Sequence, residues 1–174
     1  MNPSKWFQRE FTPGIPLSLY PNLIERLRGT PARMEDRLRG LPRKLLVARK
    51  DDKWSIQEHA GHLLDLGVLD LGRLDDFEAG AEILRAADLE NRRTYDADHN
   101  AQAIEVILSS LRHERGEFVR RLEGYDDLFI SRQALHPRLQ QPMSLVDLMF
   151  FIAEHDDHHL AKVTELLRSG ESNL

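Results

Sequence analysis

Apolar residues recur at steps of three and four in four separate stretches of this 174-residue chain, and no stretch shows a convincing two-residue alternation. That spacing places the apolar side chains on one face of a helix, whereas a half-buried strand would need the alternation. In the first stretch, from about Asn22, the stripe is Leu23, Leu27, Met34, Leu38 and Leu41. Gly29-Thr30-Pro31 interrupts it, with Thr30 suited to an N-cap and Pro31 to the first helical position. The result is either a kinked helix or one that restarts at Thr30, ended by Leu41-Pro42. The second stretch opens on a capping box, Ser55-x-x-Glu58, and continues as Ile56, Ala60, Leu63, Gly67, Leu71 and Leu74 to about Phe77. The third carries Ile104, Ile107, Leu108, Leu111, Phe118, Val119 and Leu122, and stops at Gly124. The fourth opens on Ser144-x-x-Asp147, with Met143 and Leu148 at the two positions of a hydrophobic staple. Its stripe is Leu145, Leu148, Met149, Ile152, Leu160, Val163, Leu166 and Leu167, and Ser169-Gly170 ends it. Four such helices imply an all-α fold, a four-helix bundle, in one domain over residues 1–174.

The segments between these stretches are less regular. Pro3, Pro13, Pro16 and Pro21 make residues 1–21 an irregular leader laid over the domain. Residues 42–53 form a polar, basic connection, and residues 78–97 read as a short helix followed by a loop. Residues 124–142 hold Pro137 and Pro142 and no strong period. Connections this long inside a domain often lie over a site.

The chain has no cysteine, so disulfides, thiolate metal sites and a cysteine nucleophile are excluded. A metal would have to be held by histidine, aspartate or glutamate. The net charge of −5 and the scattered bases, with local clusters such as Arg37, Arg39, Arg43 and Lys44, give no basic face for phosphate neutralisation. Nucleic acid is therefore not an expected partner. No apolar run approaches the ~20 residues that span a bilayer, so no membrane association is expected. The start, MNPSKWFQREF, has no secretory apolar segment, and the expected location is the cytoplasm.

The eight histidines are the chemically informative residues. His155 and His159, four apart in the fourth helix, lie within about 40° of each other on one face. They share the sector of Leu148, Ile152 and Leu166, so they point into the core. Two imidazoles one turn apart can bind one metal ion; the competing reading is a hydrogen-bonded core pair or a chance surface pair. His62, at the edge of the second helix's stripe, becomes informative in combination, because a facing helix can supply a third ligand. His59 can stack on Trp54 as a staple. Asp65, three residues after His62, could orient an imidazole or relay a proton; the alternative is a solvated carboxylate. His158, beside Phe151, either serves the site or is exposed. His99 suits a local structural role, His136 precedes Pro137 and is therefore extended, and His113 reads as solvated. Glu154 points about 100° away from His155. There is no HExxH, GxSxG, P-loop or Rossmann glycine pattern.

Taken together, Trp54-Ser55-Ile56-Gln57-Glu58, His62-Leu63-Leu64-Asp65 and Glu154-His155-Asp156-Asp157-His158-His159-Leu160-Ala161 resemble the DinB/YfiT-like superfamily of metal-dependent enzymes. Asn91-Arg92-Arg93-Thr94-Tyr95, Asp98-His99-Asn100 and the His136-Pro137 step are similar as well, and the resemblance covers residues 20–168. It implies a four-helix bundle, often a homodimer, with one zinc or nickel ion on His62, His155 and His159. It also implies a small-molecule substrate, since some relatives transfer low-molecular-weight thiols or isomerise thiol adducts. Asp65 and His158 are then the candidate catalytic side chains.

Three neutral imidazoles leave a divalent ion with open positions, which suits either a hydrolase or a low-molecular-weight-thiol S-transferase. Two other classes stay open: a metal-stabilised, non-catalytic, stress-associated binding protein, and a metal-free helical interaction module. A pocket at the histidines favours catalysis; closure by a fourth protein ligand favours a structural site.

Overall fold

The computed structural model describes residues 5–51 and 53–171, the side chains of the last two excepted. The first four residues of the expected leader and residue 52 of the basic connection lie outside it.

The bundle is built from four rods. The first is two helices in line, α1 (Tyr20–Arg28) and α2 (Thr30–Leu38), joined at Gly29. The chain does restart at Thr30, but Thr30 is not the cap expected of it. Gly29 occupies that position, and the Thr30 hydroxyl bonds Asp156 Oδ2 at 2.8 Å. Donating to a buried carboxylate is a charge-assisted bond, stronger than the neutral bond a capping threonine makes by accepting a backbone N–H. Pro21 lies in the first turn of α1, where its missing N–H is harmless, so the leader is shorter than expected. A single short turn, α3 (Arg43–Leu46), occupies the basic connection.

The second rod is α4 (Ile56–Asp65) and α5 (Gly67–Glu78), with a break at Leu66 that the apolar stripe did not reveal. Both halves of the Ser55–Glu58 capping box are present. After it, α6 (Arg92–Asp96) is the short helix expected in residues 78–97. The third rod, α7 (Ile104–Leu122), buries every residue of its stripe.

Residues 124–142 are more ordered than their pattern suggested. They contain α8 (Asp127–Ile130) and an antiparallel hairpin, β1 (Gln133–His136) and β2 (Gln141–Ser144). Four-residue strands are too short to show alternation, and Pro142 argues against one. The structure removes that objection: Leu135, opposite Pro142, turns both its backbone groups to Glu82 and Leu84 on its other side, at 2.8 and 3.0 Å. Pro142 thus faces no donor or acceptor that needs its missing N–H.

The fourth rod, α9 (Leu145–Glu171), starts where expected. Ser144 Oγ accepts the Asp147 amide at 3.1 Å, and Asp147 Oδ2 accepts the Ser144 amide at 2.9 Å. The other Asp147 oxygen takes the amides of Gly14 and Ile15 at 2.7 and 2.8 Å, pinning the leader to α9. The helix runs past the expected stop at Ser169-Gly170, because a glycine lowers helix propensity without by itself ending a helix. No described helix is long and apolar enough to cross a membrane.

α7 packs against α1, α2, α4 and α5, while α9 packs against α1, α2 and α4. The core is divided along the bundle. One cluster gathers Leu27, Phe77, Phe118 and Leu148; the other gathers Met34, Leu63, Ile107 and Val163. On three rods the residues between the clusters are polar: Thr30, Arg115 and the stretch from His155 to His159. Arg115 and Asp156 form a buried ion pair there at 3.1 Å. Breaking such a pair by removing one partner typically costs about 3–5 kcal/mol. The sequence therefore sets a polar layer at mid-bundle, and that layer carries the histidines.

Candidate metal centre

His62 on α4 meets His155 and His159 on α9. Each offers one nitrogen, and the three nitrogens lie within 4.8 Å of one another. The Nε2 atoms of His155 and His159 are 3.2 Å apart. No carboxylate joins this cluster among the described residues. The sequence-predicted ligand set is thus brought together as a set.

Two of the rings are oriented by partners. His62 Nδ1 is 3.0 Å from the Thr94 hydroxyl of α6, which leaves Nε2 for a ligand. His159 Nδ1 is 2.8 Å from His59 Nδ1. Metal-ligating histidines characteristically use their second nitrogen this way, which fixes tautomer and ring angle. Two indoles hold the cluster from either side. Trp54 lies 4.7 Å from the His62 ring and stacks near His159, and Trp6 of the leader meets His155 edge-on at 4.7 Å.

Burial keeps these imidazoles neutral. It pushes His62 down to about 4 and His59 down to about 3. His155 and His159 are held well below the usual histidine range by burial and then by neighbouring imidazoles. Neutral nitrogens converging from two helices, with the second nitrogens of His62 and His159 already engaged, fit a divalent ion of the zinc or nickel type.

The cluster is not sealed. A cavity of about 80 Å³ reaches His62 and His155, walled by Trp6, Phe151, Leu66 and Leu69 and by Arg73 and Arg138. His155 accordingly keeps partial exposure.

The remaining candidates separate. Asp65 bonds His99 Nε2 at 2.8 Å rather than His62, and it is largely buried, not solvated. His99 itself is buried over Gly61, as a structural role requires. His158 is half-buried, edge-on to His159 and near Trp6, with no side-chain hydrogen bond among the described residues. His59 does pack on Trp54, as expected, but its contact with His159 was not foreseen. Glu154 turns away to Arg9 and Arg26, and His113 is exposed. Thr94, Trp6 and Arg138 were missed. Trp6 and Arg138 come from segments without a helical stripe, and Thr94 from α6, a helix of five residues, too short for periodicity to mark which way a side chain faces.

A family model described as the DinB superfamily matches residues 26–163. YfiT from Bacillus subtilis, described as a probable metal-dependent hydrolase with an unusual four-helix bundle topology, superposes with a TM-score of 0.78 at 20% identity, covering 94% of each chain. A mycothiol-dependent maleylpyruvate isomerase superposes with a TM-score of 0.65 at 9% identity, over 81% of this chain and 59% of that one. The colibactin self-resistance protein ClbS, solved with double-stranded DNA, does so with 0.66 at 15% identity, over 88% of this chain and 98% of that one. No curated protein matches. At these identities the structural likeness speaks for the fold.

Proposed function

The chain belongs to the DinB superfamily, and from that premise we propose that it is a metal-dependent enzyme whose divalent ion, zinc or nickel, is held by His62, His155 and His159. One observation carries the reading: three neutral imidazoles converge, two of them, His62 and His155, line a cavity, and no fourth protein ligand closes the cluster among the described residues. A structural site would be closed. When bound, the ion supplies Lewis acidity, which lowers the pKa of a water or a thiol at neutral pH.

The protein's own groups supply the rest. Thr94 and His59 hold the His62 and His159 rings at fixed angles. Trp6 and Phe151, in edge contact at 5.1 Å, make an apolar wall beside His155. Asp65, acting through His99, and His158, beside His159, are the groups to test for proton transfer.

Hydrolysis and transfer of a low-molecular-weight thiol are the two reactions this arrangement suits. YfiT supports the first, as a probable metal-dependent hydrolase, and the mycothiol-dependent isomerase supports the second. The test is to assay ester and amide hydrolysis, and conjugation of small thiols to electrophiles, before and after chelation and after zinc or nickel is restored. Turnover lost on chelation and regained with metal is expected. Turnover indifferent to chelation, or none of either kind with metal bound, contradicts the enzyme reading and favours a non-catalytic binding protein.

A further inference from the structure

The cavity beside the three histidines carries an unanswered positive character. Arg138, in the turn between β1 and β2, lies over the rings of Trp6, Phe7 and Phe151, 5.3–5.9 Å from their centroids. Its Nη2 is buried without a hydrogen-bond partner, and no carboxylate pairs with it among the described residues. His136, 2% exposed, lines the same cavity. Its Nδ1 accepts the Leu139 amide at 3.3 Å, so its proton sits on Nε2, which is buried with no acceptor. Arg73, 3% exposed, also lines the cavity, and its one hydrogen bond among the described residues goes to the Arg85 carbonyl at 3.3 Å.

The acids along the same wall are otherwise occupied. Asp156 is held by Arg115 and Thr30. Asp88 accepts the amides of Glu90 and Arg92. Asp70 forms no ion pair with Arg73 or Arg138 among the described residues, and burial pushes its carboxyl up, against the pull of Arg115 and Arg73.

One buried guanidinium nitrogen, on the half-buried Arg138, and one buried imidazole N–H without acceptors carry a desolvation cost that a bound anion would offset. Apart from Asn91, the rest of the lining is apolar, with Trp6, Phe7, Leu66, Leu69 and Phe151 its largest side chains. A free phosphate would leave these surfaces without a partner. We propose that this cavity binds an organic carboxylate by its anionic end, with Arg138 and His136 holding the carboxylate and the apolar body running toward the three histidines. This names a substrate class for the metal site and rests on the reading of that site, although the anion contacts are made by residues outside it.

The test is calorimetric titration of the purified protein with phenylacetate, with its uncharged counterpart phenylacetamide and with inorganic phosphate, with bound metal measured in parallel. A preference of about tenfold for the acid over the amide is expected, since a charge-assisted contact is roughly twice as strong as a neutral one. Arg138→Met keeps a side chain against the three rings and should reduce that preference below about twofold while leaving metal content unchanged. His136→Phe, which retains a ring against Phe151, should lower it several-fold and covers the case in which the first variant fails to fold. Equal affinity for acid and amide, a preference untouched in both variants, or tighter binding of phosphate than of phenylacetate would overturn the inference. If the acid is preferred and Arg138→Met abolishes that preference in protein that takes up no metal even after incubation with zinc or nickel, the carboxylate site stands and the metal reading falls.

Discussion

Nδ1 of His59 and Nδ1 of His159 lie 2.8 Å apart, so one of these rings donates a proton to the other. If His159 presents Nε2 to an ion, its Nδ1 carries the proton and His59 is the acceptor. Replacing His59 by Phe keeps the ring against Trp54 and removes the acceptor. Metal affinity, measured by competition with a chromophoric chelator, should fall by about 10- to 100-fold, the usual effect of losing such a partner. An unchanged affinity would mean that His59 does not set the His159 tautomer.

Thr94 makes the equivalent contact for His62, from an element remote in sequence. Thr94→Val preserves shape and leaves His62 Nδ1 without its 3.0 Å partner. The expected loss is about 1–3 kcal/mol of unfolding free energy in the metal-free protein, read from denaturant curves, together with weaker metal binding. A variant as stable and as tight as the parent would remove α6 from the description of the site.

The Ser55–Glu58 capping box sets the entry to α4 and should be visible in acid. Burial pushes Glu58 up, but the Arg49 guanidinium and the Ser55 amide outweigh it, and the carboxyl comes to about 2. Its contribution is fully present above the ordinary value of 4.5 and is lost as pH falls through about 2. Glu58→Gln should therefore lower stability at pH 7 by about 1–3 kcal/mol, and the gap from the parent should narrow between pH 4.5 and 2. Parallel pH curves for the two proteins would contradict this.

Gly61 is held free of a side chain by His99. A Cβ there would stand 2.2 Å from His99 Cγ, in a ring that is buried and tied to Asp65. Gly61→Ala should destabilise the protein by about 1–3 kcal/mol through overpacking, despite alanine's higher helix propensity, and thermal melting decides the sign. A rise in melting temperature would show that the ring moves aside at little cost.

How much of this could be read from the sequence follows the physics of each element. The stripes of α7 and α9 and both capping boxes are local patterns, and they fixed the helices to within a turn. His155 and His159 were legible because their face is set by helical geometry alone. The join with His62 needed the packing order, which no local pattern carries and which the family resemblance supplied. The break at Leu66, the hairpin around Pro142 and the turn of Thr30 toward Asp156 depend on tertiary partners. Trp6 and Arg138 lie outside the four rods and Thr94 in the five-residue α6, where neighbours far along the chain decide which way a side chain faces.

The most direct test is the metal content of protein purified without a histidine tag, by elemental analysis, beside its His155→Ala variant. The account predicts about one zinc or nickel per chain in the parent, from the three converging nitrogens, and loss of that metal in the variant. Metal absent from both after incubation with added ions, or retained in full by the variant, would contradict it.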